Sequence, residues 1–477
     1  MSVAATVGRR AATTYRVAVE ELDLLIVGSG SGNTIPGPDL DGWRIGIAEQ
    51  GTFGGTCLNV GCIPSKMLVL PADRVVEAAD ASRLGVHLPS PTVDWPAIRD
   101  RVAGRIDPIS AGGRAYRAGQ DDVVLLEGHA EFTASGTVTV GDTEVRAERV
   151  VLATGSRPYV PPLPGLADAG FHTSDTIMRV DRIPERLLVL GGGYIAAELG
   201  HVFAALGSEV VVVTRGERLL RAEDHEVSER FTSAFGRRAE LHLSTRVDAV
   251  RSAGGEVALE CTTTSTSGNP TPTVVSGDAL LVCTGRVPNS DRLGLEHTSV
   301  RTSPDGLVVT DRFLRTDQPG VWAIGDVRSA HQLKHVANHE ATVVTHNLLH
   351  PDDLRAVDES AVPHAVFSDP QVGAVGLREE DLRASGTPYR VGRRDYAGVA
   401  FGWALEDDTG FAKVLVSPGD RRILGGHVLG PQAATLVQLL TAAMQFAMPA
   451  DRFAREQLWC HPALSEVVEN ALLDALD

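Results

Sequence analysis

The 477-residue sequence has no excess of positive charge. Its 44 Lys and Arg stand against 61 Asp and Glu, giving a formal net charge of −17. That balance argues against nucleic acid and acidic membrane surfaces as partners, since both are bound through basic patches. No apolar run reaches the length of a membrane-spanning helix. Residues 1–20 (MSVAATVGRRAATTYRVAVE) lack the long apolar core of a secretory signal and read as a mobile leader or start-site extension. Cysteine is scarce, five in the whole chain, too few for a secreted disulfide scaffold. The cytoplasm is the default compartment, where a persistent disulfide is more often catalytic than structural. No second Cys or His pair stands near the one close cysteine pair at metal-ligand spacing, so no metal is expected. The length predicts two to four domains.

That close pair lies in GGTCLNVGCIPSK, from Gly54 to Lys66. Cys57 and Cys62 are five positions apart, too distant and differently directed on a regular helix to be bridged. Gly61 and Pro64 point to a distorted backbone that could change this. A redox disulfide, a structural disulfide, half a zinc site and two buried thiols are all compatible with the pair alone.

Two stretches read as dinucleotide-binding units. LDLLIVG (22–28) is a buried parallel strand that runs into GSGSGN, and a second strand, RIGIAE, ends on Glu49. Gly28 permits a tight turn, Gly30 lets the backbone approach a pyrophosphate, Asn33 stands at the third glycine position, and Glu49 is placed for a ribose hydroxyl. Pro36, Gly37, Pro38 and Gly42 predict a short or interrupted helix after this turn. The theme returns in RLLVLGGGYIAAELG (186–200), with Gly191, Gly193 and Ala196. Here the second strand ends near Thr214, where NAD would call for an acid, and Arg215, Arg218 and Arg221 follow; that favours the 2′-phosphate of NADPH. Between the two units, helices are expected over Ala72–Ala81 and Trp95–Ile106, and strands over Val123–Leu126 and Thr137–Val140. VVLATGSRP and LLVCTGRVPN are strand-to-glycine exits, and Cys261–Gly277 reads as a loose surface hairpin. A nicotinamide does not readily reduce sulfur directly. A flavin between the two can, so the first unit is expected to hold FAD and the second NADPH.

From Leu22 onward the chain resembles the flavoprotein pyridine nucleotide–disulfide oxidoreductases. The resemblance rests on GGTCLNVGCIPSK, both glycine turns, both exits, TDQPGVWAIGD (316–326) and HPALSEVVENAL (461–472). It implies an α/β fold of two Rossmann-like domains with a C-terminal α+β dimerisation domain. The expected segments are 21–157 for FAD, 158–288 for NADPH, 289–357 returning to the FAD-binding part, and 358–477 for the interface. By the same resemblance Cys57 is the interchange thiol and Cys62 the flavin-proximal thiol. Lys66 pairs with Glu198, and His461, held by Glu466, is the acid–base that serves the cysteine pair of a partner subunit in a homodimer. Flavin contacts are implied for Gly28, Gly30, Ser31, Gly32, Asn33, Glu49, Gly55, Thr56, Lys66, His129, Ala130, Thr154, Gly155, Gly325, Asp326 and His335. NADPH contacts are implied for Gly191, Gly193, Tyr194, Ile195, Glu198, Arg215, Arg221 and Gly285.

Within the family, FHTSDTIMRV, LKHVANHEA and WCHPALSEVVENALL are most similar to the mycothione reductase branch, which reduces the disulfide of mycothiol. Rival readings are dihydrolipoamide dehydrogenase, opposed by the arginines after Thr214, and glutathione reductase, which shares the cofactors. Mercuric and large thioredoxin reductases normally carry an extra C-terminal cysteine pair, where this chain has only Cys460. A non-catalytic flavoprotein scaffold is opposed by the intact cysteines and His461. The C-terminal part carries no nucleotide fingerprint. AVFSDPQVGAVG, FAKVLV and ILGGHVLG read as antiparallel strands, and LVQLLTAAMQFAM and SEVVENALLDAL as amphipathic helices.

Overall fold

The structure, a computed structural model, describes residues 19–264 and 269–477. The expected leader lies outside the described residues up to residue 18. Val19 and Glu20, assigned to that leader, instead open the first strand, β1 (Val19–Val27), opposite Glu144 and Val145. Leu24, Leu25 and Ile26 of β1 are fully buried, as a strand covered on both faces requires. β1 pairs in parallel with β2 (Ile45–Glu49), and β2 with β3 (Val123–Glu127). On its other side β1 pairs in parallel with β6 (Thr143–Leu152). β6 continues antiparallel into β5 (Val138–Val140), which pairs with β4 (Ala130–Phe132). The interrupted segment after β1 contains only two three-residue turns, Gly32–Thr34 and Pro38–Leu40.

Helix α1 (Gly55–Asn59) carries Cys57, and α2 (Cys62–Asp80) begins on Cys62. α2 starts ten residues before the expected Ala72, and α3 (Trp95–Ala118) runs twelve beyond the expected Ile106. Pro71 and Pro108 lie inside these helices without ending them. Pro71 has no N–H for the Met67 carbonyl, and Arg101 of α3 donates to that oxygen at 2.7 Å.

β7 (Ser156–Pro158), α4 (Leu166–Ala169) and α5 (Ser174–Ile177) lead to a second parallel sheet. This sheet joins β8 (Arg186–Leu190), β9 (Glu209–Val213), β10 (Glu240–His242) and β14 (Ala279–Val282) in the order β10-β9-β8-β14. Helix α6 (Tyr194–Ala205) follows β8, and α7 (His225–Phe235) follows β9. The segment expected to be a loose hairpin is ordered sheet. β12 (Glu256–Thr264) pairs with β11 (Thr245–Ala253) and β13 (Pro270–Gly277), with Cys261 opposite Thr273. Cys261, Leu259 and Val275 are buried on one face, so its polar composition describes only the outer face.

β15 (Arg286–Pro288) pairs with β7, and β16 (Val321–Ala323) returns to the first sheet beside β6. Helix α8 (Lys334–Leu349) follows. The C-terminal sheet is antiparallel in the order β17-β18-β21-β20-β19. Its strands are β17 (Pro363–Val366), β18 (Val372–Gly376), β19 (Arg390–Asp395), β20 (Phe411–Val416) and β21 (Ile423–Leu429). Around it lie α9 (Glu379–Ser385), α10 (Ala400–Leu405), α11 (Ala433–Gln445), α12 (Ala450–Glu456) and α13 (Ser465–Leu476). Among the described residues no helix is long and apolar enough to cross a membrane.

Candidate active site

Val60 and Gly61 break the helix between the two cysteines, Gly61 with φ −134° and ψ −118°. A Cβ on Gly61 would stand 2.9 Å from the Thr56 carbonyl oxygen, so the fold-back has no room for a side chain. The break turns α1 and α2 toward each other, and the Cys57 and Cys62 side chains form a hydrogen bond. Both cysteines are free thiols. Cys62 is held down to about 7, first because Cys57 donates its hydrogen bond to the Cys62 thiolate, and further by the Lys66 ammonium. Cys57 is held far above the ordinary thiol range by that same hydrogen bond and then by burial. One proton is therefore shared unequally, with the negative charge on Cys62. Two other cysteines behave differently: burial pushes Cys283 up to about 12 and Cys261 up to about 11, which keeps both protonated.

Lys66, one turn beyond Cys62, donates to both oxygens of Glu198 at 2.7 Å. Glu198 is buried on α6 and also accepts the Phe367 N–H at 3.0 Å. The Lys66 ammonium lies 4.7 Å from the centre of the Phe367 ring. His201 of α6 meets Asp73 of α2 at 2.9 Å, so two polar pairs fix the cysteine-bearing helix against the helix of the second glycine turn.

The cysteines line a cavity of about 1340 Å³ that reaches from the first glycine turn to α11. Gly28, Gly30, Ser31, Glu49, Gly55, Thr56, Lys66, His129, Ala130, Thr154, Gly155, Gly325, Asp326 and His335 all line it. Its shape fits a long dinucleotide. Gly28 has φ +110°, and a Cβ there would sit 2.3 Å from the Ala153 carbonyl oxygen. A Cβ on Gly55 would be 2.6 Å from the Gly30 Cα. Glu49 accepts from the Ser29 N–H at 3.0 Å and the Ser29 hydroxyl at 2.6 Å, which aims its carboxylate along the end of β2. The Thr154 hydroxyl is buried with no partner, a polar atom that a bound cofactor would satisfy. Asp326 accepts from the Ser156 hydroxyl at 2.6 Å, and Glu340, fully buried on α8, holds the adjoining turn through the Gly325 N–H.

Two expected flavin contacts do not reach this wall. Gly32 is a packing position, where a Cβ would collide with Ile26 at 2.6 Å. Asn33 turns its side chain to Arg117, whose Nε donates to Oδ1 at 2.8 Å.

A second cavity of about 780 Å³ is lined by Gly191, Gly193, Tyr194, Ile195, Thr214, Arg215, Arg218, Arg221 and Gly285. Among the described residues Arg215 and Arg221 have no carboxylate partner, while Arg218 pairs with Glu217 at 2.8 Å. Two free guanidinium groups around an uncharged threonine fit a 2′-phosphate better than a bare ribose. Glu198, expected here, lines the larger cavity instead. Tyr194, Ile195 and Arg286 border both cavities, so the two spaces meet at the start of α6.

His461 and Glu466 form a pair, with His461 Nδ1 2.8 Å from Glu466 Oε1. They do not line the cysteine cavity of their own chain, and the His461 side chain is 71% exposed. Phe367, the pair formed by His364 and Glu223 at 2.9 Å, and Lys334 escaped the sequence reading, although all four residues line the cysteine cavity. No local motif flags the first three. Lys334 stands in LKHVANHEA, but nothing in that wording links it to the cysteines.

A family model described as pyridine nucleotide-disulphide oxidoreductase matches residues 22–341, and its dimerisation domain matches residues 362–472. The chain is 44% identical to mycothione reductase of Mycobacterium tuberculosis over 95% of its own length and 99% of that protein. A mercuric reductase of Streptomyces lividans is 33% identical, with 93% of each chain covered. Among solved structures, the HOCl-induced flavoprotein disulfide reductase RclA from Escherichia coli superposes with a TM-score of 0.82 at 25% identity, covering 94% of this chain and 99% of that one. With both domain models matched across nearly all of its length, the chain belongs to the pyridine nucleotide-disulphide oxidoreductase family, enzymes of disulfide chemistry that work with FAD and NADPH.

Proposed function

We propose that the protein reduces mycothione, the disulfide of mycothiol, to two thiols at the expense of NADPH. The observation that carries this reading is the hydrogen-bonded Cys57–Cys62 pair at the head of the larger cavity, in a chain so similar over its whole length to a mycothione reductase. FAD, when bound, would pass two electrons from the nicotinamide of NADPH to the sulfur pair. Gly28, Gly30, Glu49, Thr154 and Asp326 would hold it, and Arg215 and Arg221 would hold the 2′-phosphate of NADPH.

In the reduced pair His461 takes the proton that rests on Cys57, and the Cys57 sulfur so freed attacks one sulfur of the substrate. A mixed disulfide forms and the first thiol departs, taking a proton from His461. The Cys62 thiolate then attacks Cys57, restores the internal disulfide and releases the second product as a thiolate that takes its proton from solvent. The exposure of His461, and its absence from the cavity of its own chain, support a role at the partner subunit's cysteines; Glu466 orients the ring through Nδ1. The segment assignment is 21–157 and 289–357 for FAD, 158–288 for NADPH and 358–477 for the dimer interface, with β1 extending the first segment back to Val19. We place the protein in the cytoplasm, where NADPH and a small thiol pool coexist.

The test is NADPH oxidation by the purified flavoprotein with mycothione, glutathione disulfide and lipoamide in parallel. Mycothione is expected to be turned over fastest, and Cys57→Ser is expected to abolish that turnover. A preference for lipoamide, or near-normal rates in Cys57→Ser, refutes the reading.

A further inference from the structure

Tyr194, Ile195, Ala222, Arg286 and Gln332 border both cavities and form the passage between them. A coenzyme held by Arg215 and Arg221 must go through this passage to bring its nicotinamide to the flavin. The residue after Ala222 is Glu223, already on the cysteine side. Its carboxylate is buried, and both oxygens lie 2.9 Å from His364 Nε2. A carboxylate only accepts, so Nε2 carries a proton and donates it, and the ring is fixed at that end. Its other nitrogen, Nδ1, has no hydrogen-bond partner among the described residues, and the half-buried imidazole lines the cavity. Tyr194 and Gln332 line the same passage, but among the described residues no side-chain hydrogen bond fixes either one. His364 stands on β17, shortly before Phe367, whose N–H meets Glu198 beside Lys66. β17 therefore runs from the passage toward the cysteine-bearing helix, along the path open to the nicotinamide half. Glu223 comes from the second dinucleotide unit and His364 from the C-terminal sheet, so the pair stands apart from the glycine and Asp326 turns assigned to FAD.

We propose that His364 binds a hydroxyl of the nicotinamide ribose of NADPH through Nδ1, with Glu223 as the positioning residue that sets the ring. The N–H groups at the start of α6 suit the pyrophosphate, and the ring belongs against the flavin. The ribose is the part of the coenzyme between them. It is uncharged, which suits an imidazole whose charge is already matched by a carboxylate. A hydroxyl can accept from Nδ1 when the imidazole is charged and donate to it when the imidazole is neutral, so the contact holds in either state. A ring fixed before the coenzyme arrives loses little freedom on binding it. This inference rests on the reading of Arg215 and Arg221 as the 2′-phosphate site, and its test needs no turnover.

The test is calorimetric titration of the flavin-loaded protein with NADP+ and with adenosine 2′,5′-bisphosphate, which lacks the nicotinamide half. His364→Ala is expected to weaken NADP+ binding by about 5- to 10-fold, as for one lost hydrogen bond, and to leave the bisphosphate within about 2-fold of the parent. Glu223→Ala is expected to show the same pattern. Glu223→Gln, whose amide oxygen still accepts from Nε2, is expected to restore NADP+ binding. Arg221→Ala should weaken both ligands. An NADP+ affinity within about 2-fold of the parent in His364→Ala overturns the proposal, as does equal weakening of the two ligands. Loss of flavin absorbance from both alanine variants also overturns it, because the ring would then serve FAD; if only one keeps its flavin, that variant carries the comparison. Failure of Glu223→Gln to restore binding removes the positioning role of Glu223. An Arg221→Ala protein that binds both ligands like the parent refutes the 2′-phosphate reading instead, so the two fail separately.

Discussion

The two parallel sheets make their nucleotide turns alike and then diverge just past the second strand. In the first, Gly28 leaves β1 with φ +110° and packs against the Ala153 carbonyl. In the second, Gly191 leaves β8 with φ +137° and packs against the Cys283 carbonyl, and in both a Cβ would stand 2.3 Å from that oxygen. The second strand of one sheet then ends on Glu49, which takes the Ser29 N–H and hydroxyl. That of the other gives way to Thr214, whose hydroxyl accepts the Gly216 N–H at 3.3 Å, followed by Arg215 and Arg221. The backbone device is therefore common to both, and the choice of nucleotide lies in a few side chains beyond it. Charge at that point can change without disturbing a strand, because those side chains lie outside the sheet's hydrogen bonding.

The largest effects should come from the shared turn. Gly28→Ala and Gly191→Ala each place a carbon in contact with a carbonyl oxygen, at a φ that L-residues rarely adopt. The consequences should differ. Gly28→Ala is expected to purify without flavin absorbance. Gly191→Ala is expected to keep its flavin and lose NADPH oxidation by about 100-fold or more. Absorbance spectra and NADPH oxidation rates read the two separately. If both variants lose flavin, the sheets do not serve different ligands.

A smaller effect sharpens the difference past the second strand. Arg215→Glu should lower kcat/KM for NADPH by about 10- to 100-fold, the range expected from loss of a charge-assisted hydrogen bond to phosphate. NADH efficiency should change by no more than a few-fold. An unchanged ratio between the two coenzymes would mean that Arg215 does not touch the 2′-phosphate.

These devices were legible in the sequence because each is local. A strand, a glycine turn and an acid about twenty residues on are read from neighbouring residues, as is the Gly61 break between Cys57 and Cys62. The features that were not legible depend on distant chain. α2 begins before its expected start and α3 runs past its expected end, because Pro71 and Pro108 look like helix boundaries; only the fold brings Arg101 to the carbonyl that Pro71 leaves free. The polar β12–β13 segment read as loose because its buried face is set by the sheet it packs on. Lys334 and His364 approach the cysteine cavity from sequence positions more than 250 residues beyond Cys62, so no spacing rule could have joined them to it.

The smallest effect concerns the chain just beyond each turn. After Gly191 a 12-residue helix, α6, satisfies its own backbone. After Gly28 the two short turns leave carbonyls that no helix can cover, and Arg117 of α3 serves them. Its Nη2 donates to the Asn33 carbonyl at 2.7 Å and to that of Pro36 at 3.0 Å, and its Nε to Asn33 Oδ1 at 2.8 Å. Arg117 is 7% exposed, and burial lowers its pKa without neutralising it, because a guanidinium begins from so high a value. Arg117→Ala would leave buried acceptors unpaired, at a cost of about 2–3 kcal/mol. This should appear as a lower midpoint for flavin release on heating, with Arg117→Lys falling between, since one ammonium cannot reach all three oxygens. A parent-like midpoint in Arg117→Ala would mean that water serves those carbonyls as well as the guanidinium does, and that the interrupted turn needs no substitute for its missing helix.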